Sequence, residues 1–576
     1  MTILFDKRFS RTLDTLVADA IGPFEAWTFD DAKSRKAAQD ALAAKGVKAH
    51  IRSAYKPLLH FFLEEVQLVG LESVRIVFPV HPNAPANRFT LEAYPLAAML
   101  GDAKFEFVAQ TIGADVLPAY DVQLTYTDGA QALHHVLAPN RVHTDLAGET
   151  NLSPTGWLRN HPAHEGIRLD TDYEALFEEA MQAIAAHEWG GTEPYFEELN
   201  ISATYPAEDE RLSHGDEAVS LREALHEEFY FSLLEFFQKK SGRPLGDRGL
   251  RPGQIVPEIV LGAVPSVCVS LRKLDRSVET GATFDLETIA EPPYVTQIEA
   301  ELDAIGGETF EATTRSGRIV RARYVKGTDA PVMISGGQHA NENTGIVGAL
   351  RAAKLLRQRP GAHFTISPLE NPDGYALHQR LRLVNPRHMH HAARYTAFGD
   401  DLEYRTAENT GGNLGEKNIR NGATDLTHAP LHVNLHGYPS HEWTRPLSGY
   451  VPRNFAMWTL PKGFFLVMRH HEGWDRRADT MLNHVTRQLG KIPGLITYND
   501  AQIELYEIHA GETGFRIING FPCLVSVDDR HTAPLTLITE YPDETIYGDD
   551  FIAGHTAQMV TVISAYDAMQ MIVQYG

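Results

Sequence analysis

The chain has 576 residues, more than one ordinary domain needs, with 43% hydrophobic residues and a formal charge of −23, which argues against a nucleic-acid partner because grip on phosphate backbones rests on dense Lys and Arg. No run approaches the ~18 apolar residues of a membrane-spanning helix, and the start of the chain has no apolar core of signal-peptide length. Two distant cysteines, Cys268 and Cys523, give neither a disulfide framework nor a cysteine metal site, so the expectation is a soluble, cytoplasmic protein that engages no membrane.

In chain order, residues 1–290 read as a mixed α+β region of unknown role. Residues 73–79 and 120–126 alternate in the manner of strands. Residues 169–187 predict an amphipathic helix, with Tyr173, Leu176, Phe177, Ala180, Met181 and Ile184 on one face. Ser220-Leu-Arg-Glu223 is a capping-box pattern that opens another helix through Leu225, Phe229, Leu233 and Phe237. His187-Glu188 and His226-Glu227 lack the second histidine of a His-Glu-x-x-His pair and read as ordinary helix residues. Residues 242–253, with Arg243, Arg248 and Arg251, read as an ordered loop that could reach toward a neighbouring active site. The Pro-rich joint Glu291-Pro292-Pro293 divides this region from residues 291–576.

Chemistry concentrates after the joint. The apolar run Pro331-Val-Met-Ile-Ser ends in Gly336-Gly337 and then presents His339 and Glu342, an imidazole and a carboxylate that can aim at one point. Zinc accepts both donor types, and a catalytic site takes three protein ligands and leaves a position for water. In Leu431-His-Val-Asn-Leu-His-Gly-Tyr-Pro439, alternation puts His432, Asn434 and His436 on one strand face, with His436 at the tip before Gly437. His436 is therefore the expected third ligand, with His432 and His441 as alternatives. Leu535-Thr-Leu-Ile-Thr-Glu540 predicts a short strand ended by Tyr541-Pro542, which makes Glu540 the candidate base for water activated by the metal.

These residues, in this order, resemble the carboxypeptidase A-like (M14) family of zinc carboxypeptidases. Its H-x-x-E is matched by His339 and Glu342, its later H-S-Y by His436-Gly437-Tyr438, its Asn-Pro-Asp-Gly loop by Asn371-Pro-Asp-Gly374, and its Thr-x-Glu base strand by Glu540 with Thr539 adjacent. A helix over 294–305 and a strand over 316–324 supply the lead-in. The resemblance implies an α/β fold with a mixed eight-stranded sheet sandwiched by helices, one zinc ion per chain, and a peptide or small amide as substrate. It further implies Arg387 as the arginine that polarises the scissile carbonyl, Arg405, Asn341 and Tyr438 as substrate contacts, and Tyr506 as the nearest match to the family's mobile tyrosine. Two departures touch the pocket for a free C-terminal carboxylate: the chain reads Glu403-Tyr404-Arg405 where digestive members have Asn-Arg-Asn, and Asn341 stands where they have Arg.

Three functions follow as expectations. One is a metallocarboxypeptidase. A second is a zinc N-acyl amino acid amidohydrolase resembling the aspartoacylase and succinylglutamate desuccinylase group, whose His-Gly-Asn-Glu is close to His339-Ala-Asn-Glu342. A third is a non-catalytic binding protein that works through its N-terminal half. The sequence fixes neither side-chain preference nor oligomeric state.

Overall fold

A computed structural model describes residues 1–160, 164–405 and 414–575. Its central element is a nine-stranded sheet. The strands are β1 (Glu308–Thr313), β2 (Ile319–Val325), β3 (Val332–Gly336), β4 (Phe364–Ser367), β5 (Leu431–Pro439), β6 (Phe465–His470), β7 (Arg516–Ile518), β8 (Phe521–Val527) and β9 (Leu535–Glu544). Their order is β1-β2-β4-β3-β5-β9-β6-β8-β7. Strands β4, β3, β5 and β9 run parallel, β6 is antiparallel to β9 and parallel to β8, and the outer pairs are antiparallel, so the sheet is mixed.

One strand exceeds the eight that the resemblance implies. Asn519 and Gly520 both have positive φ, 50° and 86°, as a two-residue type I′ hairpin requires. They fold β7 back on β8, where Ile518 faces Phe521, and this adds an edge strand. Strand β9 also runs further than Pro542 predicts. Pairing with β6 ends at Phe465 opposite Glu540, which leaves Pro542 without a ladder on that side, while β5 continues beside it to Pro439 with a register shift.

Strand periodicity decides what the two sheet faces do. Val433 and Leu435 of β5, Leu466 and Met468 of β6, and Leu535 and Leu537 of β9 are buried in one core. Their partners come from helices α1 (Thr344–Arg357), α2 (Asp475–Leu489) and α3 (Asp549–Tyr575), through Leu350, Met481 and Val562 among others. Successive side chains point to opposite faces, so His432, Asn434 and His436, Thr536, Ile538 and Glu540, and Phe465, Val467 and Arg469 share the other face. The helix Asn418–Thr427 packs over part of it, Ala423 against Met333.

Strands before residue 273 form separate small sheets, one of them joining Thr2–Arg8, Glu198–Tyr205, Gln254–Leu261 and Ser266–Arg272. The helix predicted at 169–187 runs Asp172–Ala186, opened by Thr171, whose side chain accepts from the Glu174 N–H. All six predicted core residues on it are buried. The capping box likewise opens helix Leu221–Lys240, with Ser220 Oγ accepting from the Glu223 N–H at 3.0 Å.

That second helix is packed into the C-terminal half: Phe231 and Leu233 belong to the same core as Met389, Trp443 and Tyr450. Buried charges are paired across the contact, Glu235 with Arg445 at 2.8 Å and Lys56 with Glu442. His441, weighed as a metal ligand, is here too, its Nε2 2.7 Å from Glu223. Burial opposes its charge, but Glu223 outweighs burial and raises the imidazole to about 9. A raised imidazole stabilises the fold fully below its unfolded pKa near 6.5 and loses that contribution as pH rises through about 9. We therefore expect stability to fall by up to about 3 kcal/mol between pH 6.5 and 9 from this pair. Denaturant unfolding across that range should show a flatter profile for His441→Gln. An unchanged slope in the variant would show that the pair is not its source.

Candidate metal centre and cavity

The site begins with a turn that only glycine fits. Gly337 has φ of +60°, and a Cβ there would lie 2.9 Å from Leu369 Cδ1. The chain thus turns sharply off β3 and returns His339 and Glu342 over the strand ends, with the Glu342 N–H donating to the His339 carbonyl at 3.2 Å. On β5, a Cβ at Gly437 would collide with the Asp543 carboxylate. Its N–H donates to Glu342 Oε2 at 3.0 Å.

Glu342 lies between two imidazoles: His339 Nδ1 is 2.8 Å from its Oε1, and His436 Nδ1 is 2.9 Å from its Oε2. The two Nδ1 atoms are 3.1 Å apart. One ligand atom from each of the three residues falls within a 4.8 Å group, and all three residues are at most 5% exposed. Arg394 Nη1 donates to Glu342 Oε1 at 2.6 Å. Behind His339, Asp401 Oδ1 lies 3.3 Å from Nε2, and Arg248 Nη1 donates to Asp401 Oδ2 at 3.1 Å.

The donor set fits zinc: two imidazole nitrogens and one carboxylate oxygen are the ligands of a catalytic zinc site. A carboxylate on the far nitrogen of one ligand fixes its tautomer and leaves Nδ1 for the metal. The electrostatics agree. Burial works against the Glu342 charge, but His339, Arg394 and His436 outweigh it and hold the carboxyl far below the usual range. Burial lowers the His436 imidazole, which favours the neutral form a ligand requires. His339 is raised: burial and Arg394 oppose its charge, while Glu342 and Asp401 outweigh them. A divalent cation between the ligands would take over the role of that proton.

Glu540 stands beside this group. It is the register partner of His436 on the adjacent parallel strand and of Phe465 on the other side. It lines a cavity of about 580 Å³ together with His339, His436 and Arg394. No hydrogen bond or ion pair to its carboxylate is found among the described residues. Burial, and then the charge of Glu342, push its pKa well up, against Arg394 and Lys462. Lys462 is itself lowered to about 7 by burial, under the rings of Tyr438, Trp458, Phe465 and Tyr506.

Of the residues expected from the sequence, the structure brings together His339, Glu342, His436 and Glu540. Arg387 is not with them: its guanidinium is half exposed and donates to Asp216 at 2.9 Å. The arginine at the triad is Arg394, carried there because Asn371 caps the next helix and also donates to the Tyr395 carbonyl at 3.1 Å. Arg405 lines the cavity, yet its donors go to Asp400, Glu416 and Thr396, which suits a buried brace better than a free carboxylate clamp. Asn341 turns away and donates to Glu544 Oε2 at 2.6 Å. Tyr438 lines the cavity with its ring, but its hydroxyl donates to the Gly463 carbonyl at 2.7 Å and accepts from the Lys462 N–H at 2.8 Å. Tyr506 is buried in the core shared by the two halves. His432 Nε2 meets Ser335 Oγ at 2.7 Å, outside the triad.

Sequence reasoning missed Arg394, Asp401 and the pair Glu227–His391. His391 lines the cavity, and its Nδ1 contacts Glu227, so Glu227, read as an ordinary helix residue, is a buried support of the cavity wall. The loop at 242–253 does reach this site, through Arg248.

Neither a protein-family model nor a curated protein matches the chain. Among solved structures it is similar to a metallo-carboxypeptidase from Burkholderia cenocepacia, at 13% identity over 53% of this chain and 75% of that one, with a TM-score of 0.30. It is also similar to thrombin activatable fibrinolysis inhibitor, at 11% identity over 55% of this chain and 90% of that one, TM-score 0.30. A third is an aspartoacylase family protein from Mesorhizobium loti, at 16% identity over 48% of this chain and 69% of that one, TM-score 0.22. None of these superpositions is close, and the chemistry of the site stands on its own side chains.

Metal analysis of the purified protein should find about one zinc per chain. His436→Ala should abolish high-affinity binding, His432→Ala should leave it intact, and Asp401→Asn should weaken it by about 10- to 100-fold. Equal loss in the two histidine variants would refute the assignment of the third ligand.

Proposed function

We propose that the protein is a zinc-dependent amide hydrolase, and within that class a metallocarboxypeptidase that cleaves a C-terminal peptide or peptide-like bond. The observation that carries the proposal is the pair formed across β5 and β9: a His-Glu-His donor set at the cavity wall with the unengaged carboxylate of Glu540 in register beside it.

His339, Glu342 and His436 would hold zinc, which when bound polarises a substrate carbonyl and lowers the pKa of water toward ~7. Glu540 is the base. Its carboxylate accepts one proton as the water oxygen forms its bond to the carbonyl carbon. It returns that proton to the amide nitrogen as the C–N bond breaks, so the products are an acid and an amine. Arg394 takes the part expected of Arg387, since it is the guanidinium that lines the cavity beside the ligand group and can donate to the developing oxyanion. Arg248 and Asp401 orient His339.

The second reading, an N-acyl amino acid amidohydrolase, keeps the same steps. It is favoured by the engagement of Arg405 and Asn341 within the protein, which leaves the expected clamp for a terminal carboxylate unbuilt from those two residues. N-blocked dipeptides tested against N-acyl amino acids separate the two, because only the peptidase needs a free α-carboxylate on a leaving amino acid joined to a blocked residue.

Glu540→Gln should retain zinc while kcat falls by about 10²- to 10⁴-fold, the usual contribution of a general base. Turnover by the variant within a few-fold of the parent would exclude Glu540 as the base, and loss of zinc would assign it to the ligand set instead.

A further inference from the structure

The cavity extends well past the ligand group. Three rows of registered residues cross β5, β9 and β6 on this face of the sheet: His436, Glu540 and Phe465; Asn434, Ile538 and Val467; His432, Thr536 and Arg469, all of which line the cavity except Asn434. Glu540 and Thr536 are four positions apart on β9, about 13 Å at ~3.3 Å per residue. Between the ends, the side of the wall formed by Phe465, Val467, Ile538, Leu524 and Phe515 is apolar. A cation beside such a surface is uncommon, because a guanidinium without a carboxylate partner costs desolvation.

Arg469 is that cation. It is partly buried and lines the cavity, and Nη1 donates to Ser526 Oγ. No ion pair to Arg469 is found among the described residues. The carboxylates that share this part of the cavity are already engaged, Asp528 by Arg530 and Glu403 by Arg420. A second atom points to a missing ligand: Thr536 Oγ1, the register neighbour of Arg469 on β9, is buried with no hydrogen-bond partner. Buried polar atoms are nearly always satisfied, by protein, water or ligand.

We infer that Arg469, with Thr536, forms an anion subsite at the end of the pocket away from the ligand group and selects substrates whose leaving amino acid carries a carboxylate on its side chain. This rests on the proposed hydrolase, since that reading is what places a substrate along the pocket. A guanidinium holds a carboxylate by two parallel N–H bonds, which a neutral amide of the same shape cannot reproduce. The other arginines that line the cavity, Arg248, Arg394, Arg405, Arg420 and Arg530, are each paired with a carboxylate of the protein, which leaves the Arg469 charge for a ligand.

Equilibrium binding tests the subsite apart from turnover. L-glutamate, L-α-aminoadipate, L-glutamine and L-leucine are titrated calorimetrically into the zinc-loaded full chain, its Arg469→Gln variant and its Arg469→Lys variant. We expect an acidic ligand to bind about 10- to 100-fold more tightly than glutamine, Arg469→Gln to erase the difference, and Arg469→Lys to keep only part of it, through its charge. Glutamine bound as tightly as both acids by the parent protein, or a preference that survives Arg469→Gln, overturns the inference. Acid-selective binding without hydrolysis of any N-blocked or N-acyl substrate would sink the hydrolase reading and leave the subsite standing. Hydrolysis with preference for neutral or basic residues would do the reverse.

Discussion

The Glu342 carboxylate is the point on which the rest depends. A buried carboxylate costs several kcal/mol unless it is paired and hydrogen-bonded. This one is met by two imidazoles, a guanidinium and a backbone N–H, from three separate parts of the chain. Each partner is set by a different local rule: the glycine turn off β3, the strand alternation of β5, the capped helix that precedes Arg394, and the missing side chain of Gly437. Removing any one weakens the compensation of that buried charge. The arrangement is therefore better understood as a cation site than as a structural salt-bridge cluster, because two imidazole nitrogens facing one another at 3.1 Å cannot both carry protons beside Arg394.

The N-terminal half takes part in this site. Arg248 braces Asp401, Glu227 holds His391, and Glu223 pairs with His441. A single hydrophobic core runs through both halves. Such contacts tie cavity geometry to the packing of helix Leu221–Lys240, so substitutions far from the ligands on that helix would be felt as changes in the orientation of cavity-wall side chains.

The legible parts of the sequence were those governed by short-range rules. His339 and Glu342 follow a glycine pair, His436 is the last polar residue of an alternating pattern before Gly437, and Glu540 stands just before Tyr541-Pro542; each position is visible from period and punctuation, although both strands run on past these marks. The helices opened by Thr171 and Ser220 are visible for the same reason. The arginines were not legible, because a guanidinium is placed by loop geometry and not by period. Residues 380–394 hold four arginines of similar surroundings in sequence, and only the fold separates Arg394, at the triad, from Arg387, at Asp216. Asp401 was hidden in the same way, since nothing local marks it as the partner of an imidazole 62 positions away.

The central claim is that these side chains converge on one divalent ion. X-ray diffraction from crystals of the purified protein, recorded on both sides of the zinc absorption edge, tests it most directly. The account predicts a single anomalous peak at about 2.0–2.2 Å from Nδ1 of His339, Nδ1 of His436 and a carboxylate oxygen of Glu342. A zinc peak bound elsewhere, or none at this group with zinc in excess, would contradict it.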